Sequence, residues 1–360
     1  MAPSVAFSPV PPTPDLACVI HVHSTYSDGT GTVAQIAAAG ARAGVDAVLL
    51  TDHDSVDALR HGEERWYGRT LVCVGEEVSP SGGNHYLAFG VGEEIDHRGL
   101  SPRGIVDAVA AAGGFGFLAH PFSRGSERFR RAGTGMPWQE LELDGYAGIE
   151  LWSMVTDTGE SLQSLREALR FIVSPRRVLE HPPRRNLAEW DRLTALRPVV
   201  AIAGVDAHQF GVRVAGHVPL RLMAYRRLFS HLRTHVLLER PPSGDAARDR
   251  DAIYAALRAG RCYLAVDSLA PARGFDLWAD GRERVPMGGE AEAAGLELHV
   301  RLPQVAALVL LRDGEPIRRA AGVAALDHRV EGPGVYRVEA TLHAYARERS
   351  WVISNPLYLR

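Results

Sequence analysis

The chain has 360 residues, of which 46% are hydrophobic and 23% charged, a composition typical of a folded globular protein rather than a disordered one. The formal net charge is -3, so no overall positive field is available to attract duplex nucleic acid. All 40 basic residues are arginine, which excludes a Schiff-base lysine and a phosphate-binding loop of the GxxxxGK type.

The cysteines and the N-terminal segment indicate the compartment. Cys18, Cys73 and Cys262 form neither a CxxC pair nor a disulfide framework, which favours a reducing environment. Residues 1–15 are rich in proline and lack the basic start and apolar centre of a signal peptide, so they predict a flexible lead. No uncharged apolar stretch of about 18 residues occurs, and we expect a cytoplasmic protein with no membrane contact.

From residue 16 onward, short apolar runs alternate with helical patterns. Helices are predicted over residues 31–43, 102–112 and 161–172. Strands are predicted over residues 16–20, 46–50, 71–74, 85–91, 115–119, 147–152 and 199–203. This alternation predicts an α/β fold with parallel strands. In such folds the functional residues lie at the C-terminal ends of the strands.

The remaining segments show other sequence patterns. Residues 123–138 and 209–220 are predicted to be irregular, residues 241–250 to be a linker or surface loop, and residues 251–259 to be helical. After about residue 270, apolar and polar residues alternate with period two, as in half-buried antiparallel strands, over short runs that include 296–302 and 334–340. We therefore predict a small all-β, sandwich-like domain over residues 271–360.

Nearly every predicted strand before residue 210 ends in a residue type that binds metal ions. These residues are His21, His23, Asp28, His53, Glu76, Glu77, His85, His120, Asp206 and His208. A single histidine beside a strand is usually structural. An HxH pair, however, places both rings on one face of a strand, and repeated carboxylates and imidazoles at other strand ends favour a shared metal site.

The residue types also restrict the identity and number of the metal ions. Imidazoles and carboxylates without a thiolate suit Zn, Mn, Fe or Ni. The candidates exceed what one tetrahedral ion needs, so we expect two or three divalent ions that share a carboxylate. Two ions about 3.5–4 Å apart would activate water and neutralise charge on the attacking and leaving oxygens, as phosphoester cleavage requires.

Six motifs, in this order, carry a family resemblance: HVHSTYSDGT, TDHD, GEEVS, NHYLAFG, AHP and GVDAH. As a set they resemble the polymerase-and-histidinol-phosphatase (PHP) superfamily over about residues 16–265. The resemblance implies a distorted (β/α)7 barrel, here residues 16–270, with up to three metals, expected to be Mn, Zn or Fe, at its C-terminal face.

The resemblance also implies a ligand set, residue by residue. Glu77 would bridge two ions, and the Gly-x-Glu-x-Ser pattern selects it over Glu76. The first ion would be held by His21, His23, Glu77 and Asp206, the second by Glu77, His85 and His120, and the third by Asp28, His53 and His208. Asp28 stands where some members have histidine, and the spacing of His85 from Glu77 varies in the family. Glu77, Asp206 and His208 would be the catalytic residues.

The implied activity is hydrolysis of a phosphomonoester or phosphodiester, in a small phosphorylated molecule or nucleotide, by metal-activated water. The C-terminal region resembles the extension of a PHP branch grouped with carbamate-hydrolysing relatives, so a carbamate, amide or ester hydrolase is the alternative. A non-catalytic module would be expected to have lost ligands, and none is lost. Arg124 is either a phosphate clamp or a solvated loop residue. Glu150 either supports a ligand or is a carboxylate at the barrel mouth. The oligomeric state is not predicted.

Overall fold

The computed structural model describes residues 13–126, 128, 135–209, 211–214, 217–221 and 223–360. Most of the predicted flexible lead, residues 1–12, lies outside this part of the chain, and the first strand begins at Asp15. No helix in the described residues is long and apolar enough to cross a membrane.

The first part of the chain alternates strands and helices. In chain order the elements are β1 (Asp15–Val22), α1 (Val33–Ala43), β2 (Ala47–His53), α2 (Asp57–Arg60), β3 (Trp66–Tyr67), β4 (Thr70–Val78), β5 (Tyr86–Phe89), α3 (Pro102–Ala111), β6 (Phe115–Leu118), β7 (Gly148–Ser153), α4 (Met154–Ser161), α5 (Leu165–Val173), a 3₁₀ turn (Pro175–Arg177), α6 (Arg184–Leu196), β8 (Val200–Ala207), β9 (Gly211–Val214), β10 (His217–Arg221), α7 (Tyr225–Leu228), β11 (Leu232–Leu237), α8 (Ala246–Arg258) and β12 (Cys262–Val266).

Seven of these strands close into a barrel in the order β1, β2, β4, β5, β6, β7, β8 and back to β1. The predicted α/β barrel is confirmed in this form. The regular (β/α)7 repeat is only partly present, because β5 runs antiparallel to both of its neighbours. In addition, no helix separates β4 from β5 or β6 from β7 in the described residues.

Side-chain alternation divides β1 between two apolar cores. Leu16, Cys18 and Ile20 of β1 belong to the barrel interior, which helix α8 closes with Ile253 and Leu257. The intervening residues pack outward against the surrounding helices. All three cysteines are free and buried. Because α8 closes one end of the barrel, we expect the functional residues at the opposite, polar end.

Helix α1 shows how local sequence sets the outer layer. Thr32 caps its N-terminus and forms a capping box with Gln35, while Gly44 ends it in the left-handed conformation. Val33, Ile36 and Ala37 lie on one buried face, which packs on the outside of the barrel.

The C-terminal region is all β, as predicted. It contains β13 (Asp276–Asp280), β14 (Arg284–Pro286), β15 (Glu290–Ala291), β16 (Glu297–Arg312), β17 (Glu315–Arg329), β18 (Gly334–Ala344), β19 (Arg347–Ser354) and β20 (Leu357–Leu359). Its apolar core also includes Leu237 of β11 and Tyr263 and Ala265 of β12. Strand β19 also pairs with β12, and the buried Asn355 bonds to both backbone groups of Ala201 and to the carbonyl of Cys262. The region is thus hydrogen-bonded to the α8 end of the barrel.

Several local predictions were wrong. The helix expected over residues 161–172 is present as α5, but it begins four residues later because the Ser164 side chain caps it, and the preceding helix α4 was not predicted. The segment 209–220, expected to be irregular, contains the paired strands β9 and β10. Helix α8 begins inside the expected loop 241–250, because the Asp245 side chain caps it. The short run expected over residues 296–302 is the first half of a longer strand, β16.

Candidate metal centre

The predicted ligands meet at one rim of the barrel. His53, Glu77 and Asp206 lie at or near the C-terminal ends of β2, β4 and β8, and alternation points them inward. His120 follows β6. His85 precedes β5, whose start lies at this same rim because β5 is antiparallel.

The end of β1 departs from simple alternation. The pairing with β8 shifts register between Ile20 and Val22, and His21 adopts a positive φ of 67°. Ile20 belongs to the interior core, yet Val22 packs outward. The irregularity therefore turns both His21 and His23 into the barrel mouth. His120 and Asp206 also have positive φ values, of 30° and 55°. Such strained backbone is typical of functional sites.

Glu77 lies at the centre of the cluster and is fully buried. Its Oε2 atom is 3.2 Å from Nε2 of His21, 3.3 Å from Nε2 of His23 and 3.1 Å from Nδ1 of His53. Its Oε1 atom is 2.9 Å from Nδ1 of His85 and 3.3 Å from Nε2 of His120. One carboxylate thus faces five imidazoles, as a carboxylate that bridges metal ions would. Glu76 points to the other side of the strand and accepts from the Ile95 amide.

In the part of the chain that the structure describes, four sets of side chains could each hold an ion, because the donor atoms within a set all lie within 4.8 Å of one another. The sets are His21, His23 and Glu77; His53, Glu77 and His85; His21, His120 and Asp206; and His23, Asp28, His53 and His208. All nine predicted ligands occur in them. His120 groups with His21 and Asp206, although it also approaches Glu77.

Neighbouring polar groups orient these ligands. Nδ1 of His21 is 3.0 Å from Oε1 of Glu150, whose other oxygen accepts from the His120 amide. Thr156 donates to Oδ2 of Asp206 at 2.6 Å. Supporting contacts of this kind fix ring orientation and basicity in metal sites. Glu150 therefore supports two predicted ligands, whereas nothing in the sequence pattern singled out Thr156.

A glycine makes room for Glu150. A Cβ atom at Gly204 would lie 1.7 Å from Oε1 of Glu150, closer than any real contact. The glycine in the run AIAGVDAH therefore has a local packing reason: β8 must approach the carboxylate that orients His21.

The electrostatics favour ionised carboxylates. Burial opposes charge on Glu77, but the histidines around it, His21 first, hold its pKa well below the usual value. The pKa of Asp206 is lowered in the same way. Burial, with the nearby His208, lowers the pKa of His23 to about 4, so this ring is neutral at pH 7. Burial also disfavours the charged form of His208, but Asp28 and Asp206 raise its pKa to about 9, so an ion bound there would displace a proton.

The donor set fits a group of divalent ions. Among the described residues, several buried ligand atoms make no hydrogen bond of good geometry, even where two of them lie 3.2–3.3 Å apart: Nε2 of His21, both ring nitrogens of His23, Nδ1 of His120 and Oε2 of Glu77. Buried polar atoms are normally satisfied, so unpaired atoms that converge on one place need another partner. Cations coordinated by imidazole and carboxylate would satisfy them.

The cluster forms one wall of a cavity of about 710 Å³. None of the described residues that line it is an arginine. Arg124 has an exposed side chain and lines a separate surface pocket with Arg185 and Glu189. The structure therefore does not bring Arg124 to the predicted ligands.

No family model matches the chain, and no curated protein matches it. Solved structures that resemble it include a two-domain protein containing a predicted PHP-like metal-dependent phosphoesterase from Bacteroides vulgatus ATCC 8482, with 16% identity over 95% of each chain and a TM-score of 0.47. PsfC from Pseudomonas syringae PB-5123 has 12% identity, covers 71% of this chain and 93% of its own, and has a TM-score of 0.41. An amidohydrolase from Chromobacterium violaceum with bound sulfate has 16% identity, covers 65% and 96%, and has a TM-score of 0.33. These sequence identities and TM-scores are too low to support a function, so the assignment of function depends on the side chains of the site.

Proposed function

We propose that this protein is a metal-dependent hydrolase that cleaves a phosphoester, either a monoester or a diester, with metal-activated water. One observation carries the proposal: the buried Glu77 carboxylate faces five imidazoles at the rim of the barrel, and its oxygens belong to two of the four ligand sets. A carboxylate shared in this way is what adjacent metal ions need as a bridge.

Two or three divalent ions, of Mn, Zn or Fe, would be held by the nine predicted ligands. When bound, they would supply activation of water and neutralisation of charge on the phosphoryl oxygens. The chain itself would orient the ligands through Glu150 and Thr156. Asp28, which is more than half exposed beside His208, would accept or return a proton at the cavity mouth.

A second candidate is hydrolysis of a carbamate, amide or ester at the same site. It is favoured by the absence of arginine among the described residues that line the cavity, since a substrate without a phosphate needs no guanidinium clamp.

A substrate panel tests both candidates. The protein, loaded in turn with Mn, Zn and Fe, should be assayed on 4-nitrophenyl phosphate, bis(4-nitrophenyl) phosphate and 1-naphthyl N-methylcarbamate. We expect metal-dependent turnover of at least one phosphoester, lost in Glu77→Gln. Turnover of the carbamate alone would favour the second candidate, and no metal-dependent turnover of any substrate would contradict both.

A further inference from the structure

The cavity that holds the predicted metal ligands also has a largely apolar wall. This wall is built from Val155 of α4, Leu162 after it, and Ala168, Phe171 and Ile172 of α5. Met136 and Met223 continue this surface. Thioether side chains adapt their shape to apolar groups, so the wall suits hydrocarbon better than a sugar or a nucleoside.

Among the described residues on this side, the polar side chains of Ser123, Thr156 and Glu160 already have partners. Oε1 of Glu160 accepts from the Ser123 hydroxyl at 2.6 Å and from the Arg124 and Gly125 amides at 2.7 and 2.9 Å. Its Oε2 accepts from Arg185 at 2.8 Å. The Thr156 hydroxyl donates to Asp206. A hydroxyl-rich group placed here would lose water without gaining equivalent hydrogen bonds.

The apolar surface continues out of the cavity along helix α5. Leu165, Leu169 and Val173 are 73%, 61% and 62% exposed. Together with Ala168 and Ile172 they follow the three- and four-residue spacing of one helix face. Part of this face lines the cavity and the rest is open to solvent, so an extended hydrocarbon group would lie along it.

We propose that the substrate carries an extended alkyl or aryl group beside the bond that is cleaved, and that the wall formed by α4, α5, Met136 and Met223 binds this group. This inference rests on the proposed hydrolase function and specifies its substrate class. Hydrolysis consumes one water: its oxygen bonds to phosphorus or to the carbamate carbon, the bond to the leaving oxygen breaks, and one proton passes to the leaving group or to solvent.

The first test varies only the hydrocarbon. The metal-loaded protein should be assayed on methyl, butyl, hexyl and octyl 4-nitrophenyl phosphodiesters, and on the matching N-methyl-N-alkyl 4-nitrophenyl carbamates, so that the leaving group stays constant. We expect kcat/KM to rise about two- to fourfold per methylene until the wall is covered. Hydrolysis with no dependence on chain length would overturn the inference while leaving the hydrolase function in place.

The second test measures binding independently of catalysis. The uncharged fluorophore N-phenyl-1-naphthylamine should bind the purified protein saturably, with or without metal, and should be displaced more strongly by octanol than by butanol. Ile172→Gln and Met223→Gln should weaken its binding at least fivefold. Leu196→Gln, a control at an apolar residue that is 64% exposed at the end of α6, should not change it.

Two independent cavity variants keep the test informative if one of them folds poorly, as circular dichroism would show. Probe affinity that is equal in the wild type, both cavity variants and the control would overturn the inference. Chain-length-dependent binding without hydrolysis of any substrate would instead contradict the hydrolase proposal and retain the apolar binding wall.

Discussion

Replacing Glu77 by Gln is the sharpest perturbation of the cluster, because it keeps the size of the side chain and removes its charge. Glu77 contributes to two of the four ligand sets, so the change weakens two sets at once. Loss of a group that only supports a ligand typically costs about 10- to 100-fold in metal affinity, and loss of a direct ligand should cost at least as much at each ion. We therefore expect Glu77→Gln to lose at least one metal equivalent.

The same change should lower kcat/KM by at least about 10³-fold, equivalent to about 4 kcal/mol of transition-state stabilisation. Elemental analysis after gel filtration, together with steady-state kinetics on the best substrate of the panel, provides the assay. The metal content and the rate should fall together.

Glu76→Gln is the matched control. Glu76 neighbours Glu77 on the same strand and is also buried, but it faces away from the cluster and accepts from the Ile95 amide. Burial raises the pKa of Glu76 to about 8, so the side chain is largely protonated at pH 7 and Gln is a close replacement. We expect metal content and kcat/KM within about threefold of the wild type. Equal metal loss in both variants, or the opposite order, would refute the assignment of Glu77 as the bridging ligand.

Three further predictions concern other parts of the chain. Asn355→Ala should lower the free energy of unfolding by about 3 kcal/mol in urea titrations, because it removes three hydrogen bonds to buried backbone groups, two of Ala201 in β8 and one of Cys262 in β12; a change below about 1 kcal/mol would contradict this account. Burial opposes protonation of His235, but hydrogen bonds to Asp15 and Asp267 raise its pKa to about 9, above its unfolded value of about 6.5. The folded state therefore binds this proton more tightly than the unfolded state does, and the difference of about 2.5 pH units, at about 1.36 kcal/mol each, corresponds to about 3 kcal/mol of stability. This stabilisation is fully present below about pH 6.5 and is lost as the pH rises to about 9. A free energy of unfolding that stays constant or rises over this window would contradict the interaction. Arg124→Ala should change kcat/KM on a phosphoester less than about threefold, because the side chain is exposed and lines another pocket; a loss of about 2–4 kcal/mol would instead place the guanidinium at the substrate.

The sequence was most informative where short-range rules decide the structure. Apolar runs predicted the barrel strands, and alternation placed Glu77 and Glu76 on opposite sides of β4. The carboxylates and imidazoles at the strand ends form a recognisable pattern in the sequence alone. Their convergence follows because strand ends meet at one rim.

The sequence was least informative where distant segments decide the outcome. The antiparallel direction of β5, the register shift at His21 and the contact of Thr156 with Asp206 depend on tertiary packing that no local sequence pattern predicts. Long-range pairing also produced the strands β11, β12 and β17, which were not predicted. Arg124 follows the predicted ligand His120 closely in sequence and was therefore a candidate phosphate clamp, but its side chain lines another pocket.

The most direct test of the central claim is the metal content of the wild-type protein. The protein should be purified without chelator, supplied with Mn, Zn and Fe, freed of excess metal, and analysed for metal per chain alongside hydrolysis of the substrate panel. We predict at least two equivalents per chain, with activity that a chelator removes and added metal restores. Less than one equivalent with all three metals supplied, or hydrolysis that persists unchanged in the metal-free protein, would contradict a metal-dependent hydrolase built around Glu77.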